Sequence, residues 1–141
     1  MTEVQKIEFS PEAMLEVSRI VSHYPQDKMK SALLPVLHIA QNEFGGWLSA
    51  ETMDYVHPIE VYEVATFYSM YNTKPVGKIL IEVCQTGPCC LNGAEKIVSY
   101  IEKKLNIKVG ETTKDNMFTL KTVECLGACG YAPMFQIGET F

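Results

Sequence analysis

Apolar positions recur at helical spacing as far as about Tyr71 and come in short continuous runs from Lys78 onward, so the chain reads as helices first and strands mixed with a helix second. Phe9-Ser10-Pro11-Glu12 opens the first helix. Ser10 suits its N-cap, Pro11 its first turn and Glu12 the positive end of its dipole, and Phe9 and Met14 have the spacing of a hydrophobic staple. Met14, Val17, Val21 and Tyr24 carry the apolar face until Pro25. Leu33, Val36, Leu37, Ala40 and Phe44 mark a second helix ending at Gly45-Gly46. Pro35 belongs in its first turns, because an interior proline removes a backbone hydrogen bond. Ser49 caps a short third helix through about Val56, and Pro58 opens a fourth through Tyr68. On the fourth, Val61, Val64, Ala65, Tyr68 and Tyr71 share a face while Tyr62, Phe67 and Met70 lie off it. Such a helix is either a core helix of a small bundle or one covered by a partner.

Asn72-Thr73-Lys74-Pro75-Val76-Gly77 is turn-rich and marks the expected boundary, with a helical domain over 1–72 and an α/β domain over 73–141. Lys78-Ile79-Leu80-Ile81-Glu82-Val83 predicts a mostly buried strand that delivers Cys84 at its end. Asn92 and Glu95 form an Asn-x-x-Glu capping box for an amphipathic helix carrying Ala94, Ile97, Val98, Ile101 and Leu105, and Asn106 suits a left-handed stop. Asp115-Asn116 signals a turn, Phe118–Val123 a strand and Met134–Ile137 another.

Composition narrows the chemistry. Of 141 residues, 47% are apolar, enough for a core, and the net charge of -5 without any Lys/Arg run argues against nucleic acid and anionic membranes as partners. No apolar run approaches the ~18 residues of a membrane span, and the first twenty residues lack the pattern of a signal peptide, so a soluble, intracellular protein is expected. In a reducing compartment the five cysteines point away from disulfides and toward metal or cluster ligation.

Four of those cysteines come as Cys84-x4-Cys89 and Cys125-x3-Cys129. Both pairs sit where a strand gives way to a loop, and backbone N–H groups there can point at a bound anion, with Gly87 and Gly127 allowing tight turns. The helix capped at Asn92 would bring its positive end close to Cys89. The pattern suits one iron-sulfur cluster. Zinc on the same thiolates is the rival, although structural zinc favours C-x2-C knuckles, and a zinc-stabilised interaction module without redox chemistry is the corresponding function. A thiol-redox enzyme is disfavoured because no C-x-x-C occurs, and a Rieske site because no His follows His57. Cys90 reads as a small buried hydrophobe and His38 as a packed, hydrogen-bonded histidine. His23 and His57 read as helix-end residues.

Further motifs fall in order around the thiols: Gln41 with Phe44-Gly45-Gly46-Trp47-Leu48, then Val61-Tyr62-Glu63-Val64-Ala65-Thr66-Phe67-Tyr68, Lys74-Pro75-Val76-Gly77-Lys78, and Cys125-Leu126-Gly127-Ala128-Cys129-Gly130-Tyr131-Ala132-Pro133. With them the chain resembles, over nearly its whole length, the thioredoxin-like 2Fe-2S ferredoxin subunit of NADH:quinone oxidoreductase (respiratory complex I). Related subunits occur in NAD(P)-linked hydrogenases and formate dehydrogenases. The resemblance implies an α+β protein, an N-terminal helical bundle followed by a thioredoxin-like α/β domain, in which Cys84, Cys89, Cys125 and Cys129 ligate one 2Fe-2S cluster. It implies an electron-transfer subunit without an active site of its own, in the cytoplasmic peripheral arm of a membrane-associated complex. Its partner would be the flavoprotein subunit, which binds FMN and NADH and whose flavin passes one electron to the cluster. The chain itself has no Gly-rich dinucleotide fingerprint. Two departures stand out: the Val56-His57 junction is shorter than in the family, and the sequence ends at Gly138-Glu139-Thr140-Phe141 where relatives continue into a strand or hairpin and a helix.

Overall fold

The computed structural model describes residues 7–56, 58–138 and 140. His57, Glu139 and Phe141, on which the short junction and the chain end bear, lie outside the described residues. The chain divides into two compact units, Met1–Pro75 and Val76–Phe141.

The first unit is helical. Helix α1 (Pro11–Val21) starts as its sequence dictates, with the Ser10 hydroxyl accepting from the Ala13 N–H. Phe9 does not staple it. Met14 is exposed, and Phe9 packs instead on the rings of Phe44 and Tyr55, each with centroids 5.5 Å away. A 3-10 segment, Gln26–Ala32, then leads into α2 (Leu33–Glu43), where Pro35 falls in the first turn and breaks no interior hydrogen bond. Ser49 caps α3 (Ala50–Val56) by accepting from Thr52 N–H, and α4 (Pro58–Phe67) follows. Leu37, Ala40, Leu48, Met53, Val61, Ala65 and Tyr71 close the core of this unit. A buried polar group organises its final turn. The Gln41 carboxamide accepts from Asn72 N–H at 2.7 Å and donates to the Met70 carbonyl at 3.2 Å, while Asn72 donates to the Gly46 carbonyl. Gln41 and the Gly45-Gly46 turn, whose two glycines are both left-handed, therefore have a structural use. His38 is exposed rather than packed away, although its ring lies 5.0 Å from that of Tyr71 and its Nε2 2.9 Å from Met70 Sδ.

The second unit is a three-stranded sheet in the order β2-β1-β3, formed by β1 (Ile79–Cys84), β2 (Phe118–Val123) and β3 (Phe135–Ile137). Strands β1 and β2 are parallel, with Cys84 opposite Val123, whereas β3 runs antiparallel on the other side of β1. A parallel pair needs a crossover, and helices α5 (Gly87–Leu91) and α6 (Ala94–Leu105) supply it. Ile81, Val83, Ala94, Ile107 and Leu120 form the core, with Ile97, Val98, Ile101 and Leu105 of α6 packed against it. Asn106 ends α6 in the left-handed region, as its sequence predicts. Gly77 is required by close approach: a Cβ there would stand 2.9 Å from the backbone of Met117 and Phe118.

The start of α6 differs from expectation. Gly93, at φ 97°, is its N-cap, and no side chain caps it. Asn92 instead closes the preceding α5, its amide donating to the Pro88 carbonyl at 2.7 Å. The polar spacing of a capping box is there, but Gly93 takes the turn, so Asn92 serves the helix before rather than the helix after. Among the described residues no helix is long and apolar enough to cross a membrane.

Candidate metal centre

The hydrophobic run of β1 carries the chain through the sheet and ends on Cys84, which is buried. Its position is fixed by the backbone: Cys84 N–H donates to the Met134 carbonyl at 3.1 Å, and Gln85 N–H to the Val123 carbonyl at 2.8 Å. The next residues do not form an open loop. Gly87–Leu91 coil into α5, so Cys89 sits in its first turn, also buried, and Cys90 N–H closes back on the Thr86 carbonyl. Cys125 follows β2 on an exposed loop, and Cys129 opens a 3-10 turn, Cys129–Tyr131, that is exposed as well.

Donors converge on the sulfurs from three segments. Thr86 and Leu126 N–H groups act on the Cys84 sulfur, and the Cys84 thiol in turn donates to the Thr86 hydroxyl oxygen, 3.5 Å away. Gly127, held at φ 72°, donates its N–H to Cys125 Sγ at 3.3 Å. Met134, just beyond the cis Ala132-Pro133 bond, directs its N–H at the Cys89 sulfur. Burial pushes the Cys84 thiol up, but Thr86, Leu126 and the Cys89 thiol outweigh it and bring the thiol down to about 7. For Cys89 the Met134 N–H acts downward, yet burial and the neighbouring Cys84 and Cys129 groups carry the thiol above its ordinary value.

Cys84 and Cys89 thus stand in hydrogen-bonding contact and Cys129 acts electrostatically on Cys89. Cys125 lines an adjoining cleft of about 510 Å³ with Gln85, Thr86, Val123 and Glu124. Among the described residues no three Cys, His, Asp or Glu side chains are gathered into a ready-made metal site. What fits a 2Fe-2S group is the donor set: thiols at the end of β1 and beyond β2, with N–H groups turned toward sulfur as an anionic cluster requires. The loop donors expected from sequence are present in Thr86, Leu126 and Gly127. The Met134 N–H is a further donor, and the Thr86 hydroxyl a further partner of the Cys84 thiol. Thr86 lies inside the Cys84–Cys89 spacing and was open to discovery there, whereas nothing in the sequence links Met134 to Cys89. Cys90 departs from expectation. It is exposed, because the α5 turn that buries Cys89 points its neighbour outward, and its thiol donates to the Gln85 carbonyl at 3.2 Å.

The family described as "Thioredoxin-like [2Fe-2S] ferredoxin" matches residues 17–141. The chain belongs to this family. Within the ferredoxin family it is similar to a subunit of the NADH-quinone oxidoreductase of Rickettsia typhi, 49% identical over 128 residues that make up 86% of this chain and 75% of that one. The subunit of the same name from Rickettsia conorii is 43% identical over 146 residues, covering 99% of this chain and 87% of the relative. "NADH dehydrogenase [ubiquinone] flavoprotein 2, mitochondrial" of Dictyostelium discoideum is 44% identical over 140 residues, 95% of this chain but 57% of the relative. The chain therefore spans little more than half of that relative's length. A chain of an NAD+-reducing [NiFe]-hydrogenase shares the fold, with TM-score 0.52 and 17% identity, over 98% of this chain and 21% of the hydrogenase chain. Membership of a thioredoxin-like ferredoxin family agrees with the α+β architecture, and it favours the iron-sulfur alternative over zinc.

Proposed function

We propose that the protein is an electron-transfer subunit of an NADH-quinone oxidoreductase, with Cys84, Cys89, Cys125 and Cys129 as the ligands of one 2Fe-2S cluster. The observation that carries this is the convergence of backbone N–H groups from 86, 126, 127 and 134 on the sulfurs of Cys84, Cys125 and Cys89, in a member of the thioredoxin-like ferredoxin family. A 2Fe-2S cluster bound there takes up and gives back one electron at a time. The protein's part is to hold the four thiolates, to place donors where negative charge grows on reduction, and to keep the Cys84 and Cys89 side from water.

The partner in this proposal is a flavoprotein that carries FMN and NADH, and the pair belongs to the peripheral arm of the complex. Tyr62, Phe67, Tyr68 and Met70, on and just after α4, are exposed and suit burial against such a partner. The chain has no active site of its own in this scheme, so NADH alone leaves its cluster oxidised. Anaerobic addition of NADH should bleach the cluster's visible absorption only when the flavoprotein is present. Bleaching of the isolated chain by NADH, or none in the assembled pair, would refute the assignment.

A further inference from the structure

Thr86 occupies a position whose usual task it does not perform. It is the N-cap of α5, where a threonine hydroxyl ordinarily accepts from the N–H of the second or third helical residue. Here the second is Pro88, which has no N–H, and the Thr86 side chain makes no cap hydrogen bond. The hydroxyl oxygen instead accepts from the buried Cys84 thiol, 3.5 Å away. The Cys84 thiol also lies 3.6 Å from the Glu124 carbonyl, to which it donates. Once Cys84 is a deprotonated ligand, that donation ends and the carbonyl offers the sulfur nothing. The Thr86 hydroxyl, which both donates and accepts, can reverse its role and become a donor.

We propose that Thr86 sets the reduction potential of the bound cluster through its hydroxyl on the Cys84 sulfur. The inference rests on the ligand assignment above. Reduction adds one electron and increases the negative charge on sulfur, so a hydroxyl donor is worth more in the reduced state than in the oxidised one. No bond forms or breaks at Thr86, and its proton stays on oxygen. Thr86 is a positioning residue, half-buried beside the ligand rather than a ligand itself.

The test is a dithionite redox titration of the cluster-loaded full chain as wild type, Thr86→Val and Thr86→Ser, followed by paramagnetic resonance. Valine keeps the shape and removes the donor; serine restores it. The valine variant should show about a tenfold fall in the equilibrium constant for reduction, a midpoint lower by about 59 mV for a one-electron couple. Serine should return the midpoint to the wild-type value, which a merely structural role for the side chain would not require. A valine midpoint equal to wild type, or a serine midpoint as low as valine's, overturns the inference. If valine prevents cluster uptake, Thr86→Ala takes its place against Thr86→Ser with the same criteria. A wild-type chain that takes up no 2Fe-2S cluster overturns the electron-carrier assignment and this inference together, whereas an unmoved midpoint in a loaded variant overturns this inference alone.

Discussion

Cys84 and Cys89 are 3% and 2% exposed, one at the end of a central strand and the other in a helical turn, while Cys125 and Cys129 are exposed on the segment that follows β2. The first pair is held by regular elements: the β1 ladder, α5 and the Met134 backbone. The second pair depends on local turns, among them Gly127 in the left-handed region. One half of the site is therefore placed by a strand and a helix, the other half by local turns. Burial also gives the first pair two uses, ligation and packing, where the second has only ligation.

The largest expected difference is in cluster loading. Cys84→Ser and Cys89→Ser should abolish the visible absorption, because a buried ligand on a fixed element cannot shift to meet iron through a shorter side chain. Cys125→Ser and Cys129→Ser should retain a fraction of the iron with an altered spectrum. Equal losses in all four would erase the distinction. The next difference concerns cluster-free protein in urea: Cys89→Ala should cost about 1 kcal/mol, the usual size for a truncation in a core, and Cys125→Ala should stay within about 0.5 kcal/mol of wild type. A Cys125 variant as unstable as the Cys89 variant would mean that the second pair is packed too.

A change in the helical unit should leave the pairs untouched and so acts as a control. Burial, with a smaller contribution from Tyr68, pushes the Tyr71 phenol up to about 12, and its hydroxyl donates to the Leu34 carbonyl at 2.8 Å. The unfolded phenol ionises near ~10, so the stability due to the neutral phenol is intact below that pH and is lost as pH rises toward 12. Circular dichroism between those limits should show an alkaline loss of helix that Tyr71→Phe weakens. The smallest effect should come from Cys90→Ala. Its exposed thiol bonds only a carbonyl among the contacts seen, and the cluster spectrum should not change. A changed spectrum would move the ligand register from Cys89 to Cys90.

Much of this arrangement was legible in the residues. Helices α1 to α4 and all three strands follow from period, caps and prolines, since each is specified by local chemistry such as Ser10-Pro11, Ser49 and the Phe118–Val123 run. Short elements were not. Gln26–Ala32 has no apolar period, and α5, five residues containing Gly87 and Pro88, looks like a loop in sequence. The unread α5 accounts for the misplaced Asn92 cap, and it turns outward a Cys90 that the habit of free cysteine would bury. The four thiols were found by spacing and order, but their unequal burial was not, because it depends on how β1 and α5 sit in the sheet. Met134 was hidden for the same reason. Its N–H reaches Cys89 only when β3 lies beside β1, and such non-local pairing leaves no local signal.

What the four thiols hold decides the protein's role. Metal and acid-labile sulfide analysis of the full chain, isolated anaerobically without added metal, together with paramagnetic resonance after dithionite, tests it most directly. The expected result is iron and sulfide in equal amounts, with a signal that appears on reduction and vanishes in Cys84→Ser. A colourless protein containing zinc, silent to reduction, would contradict it.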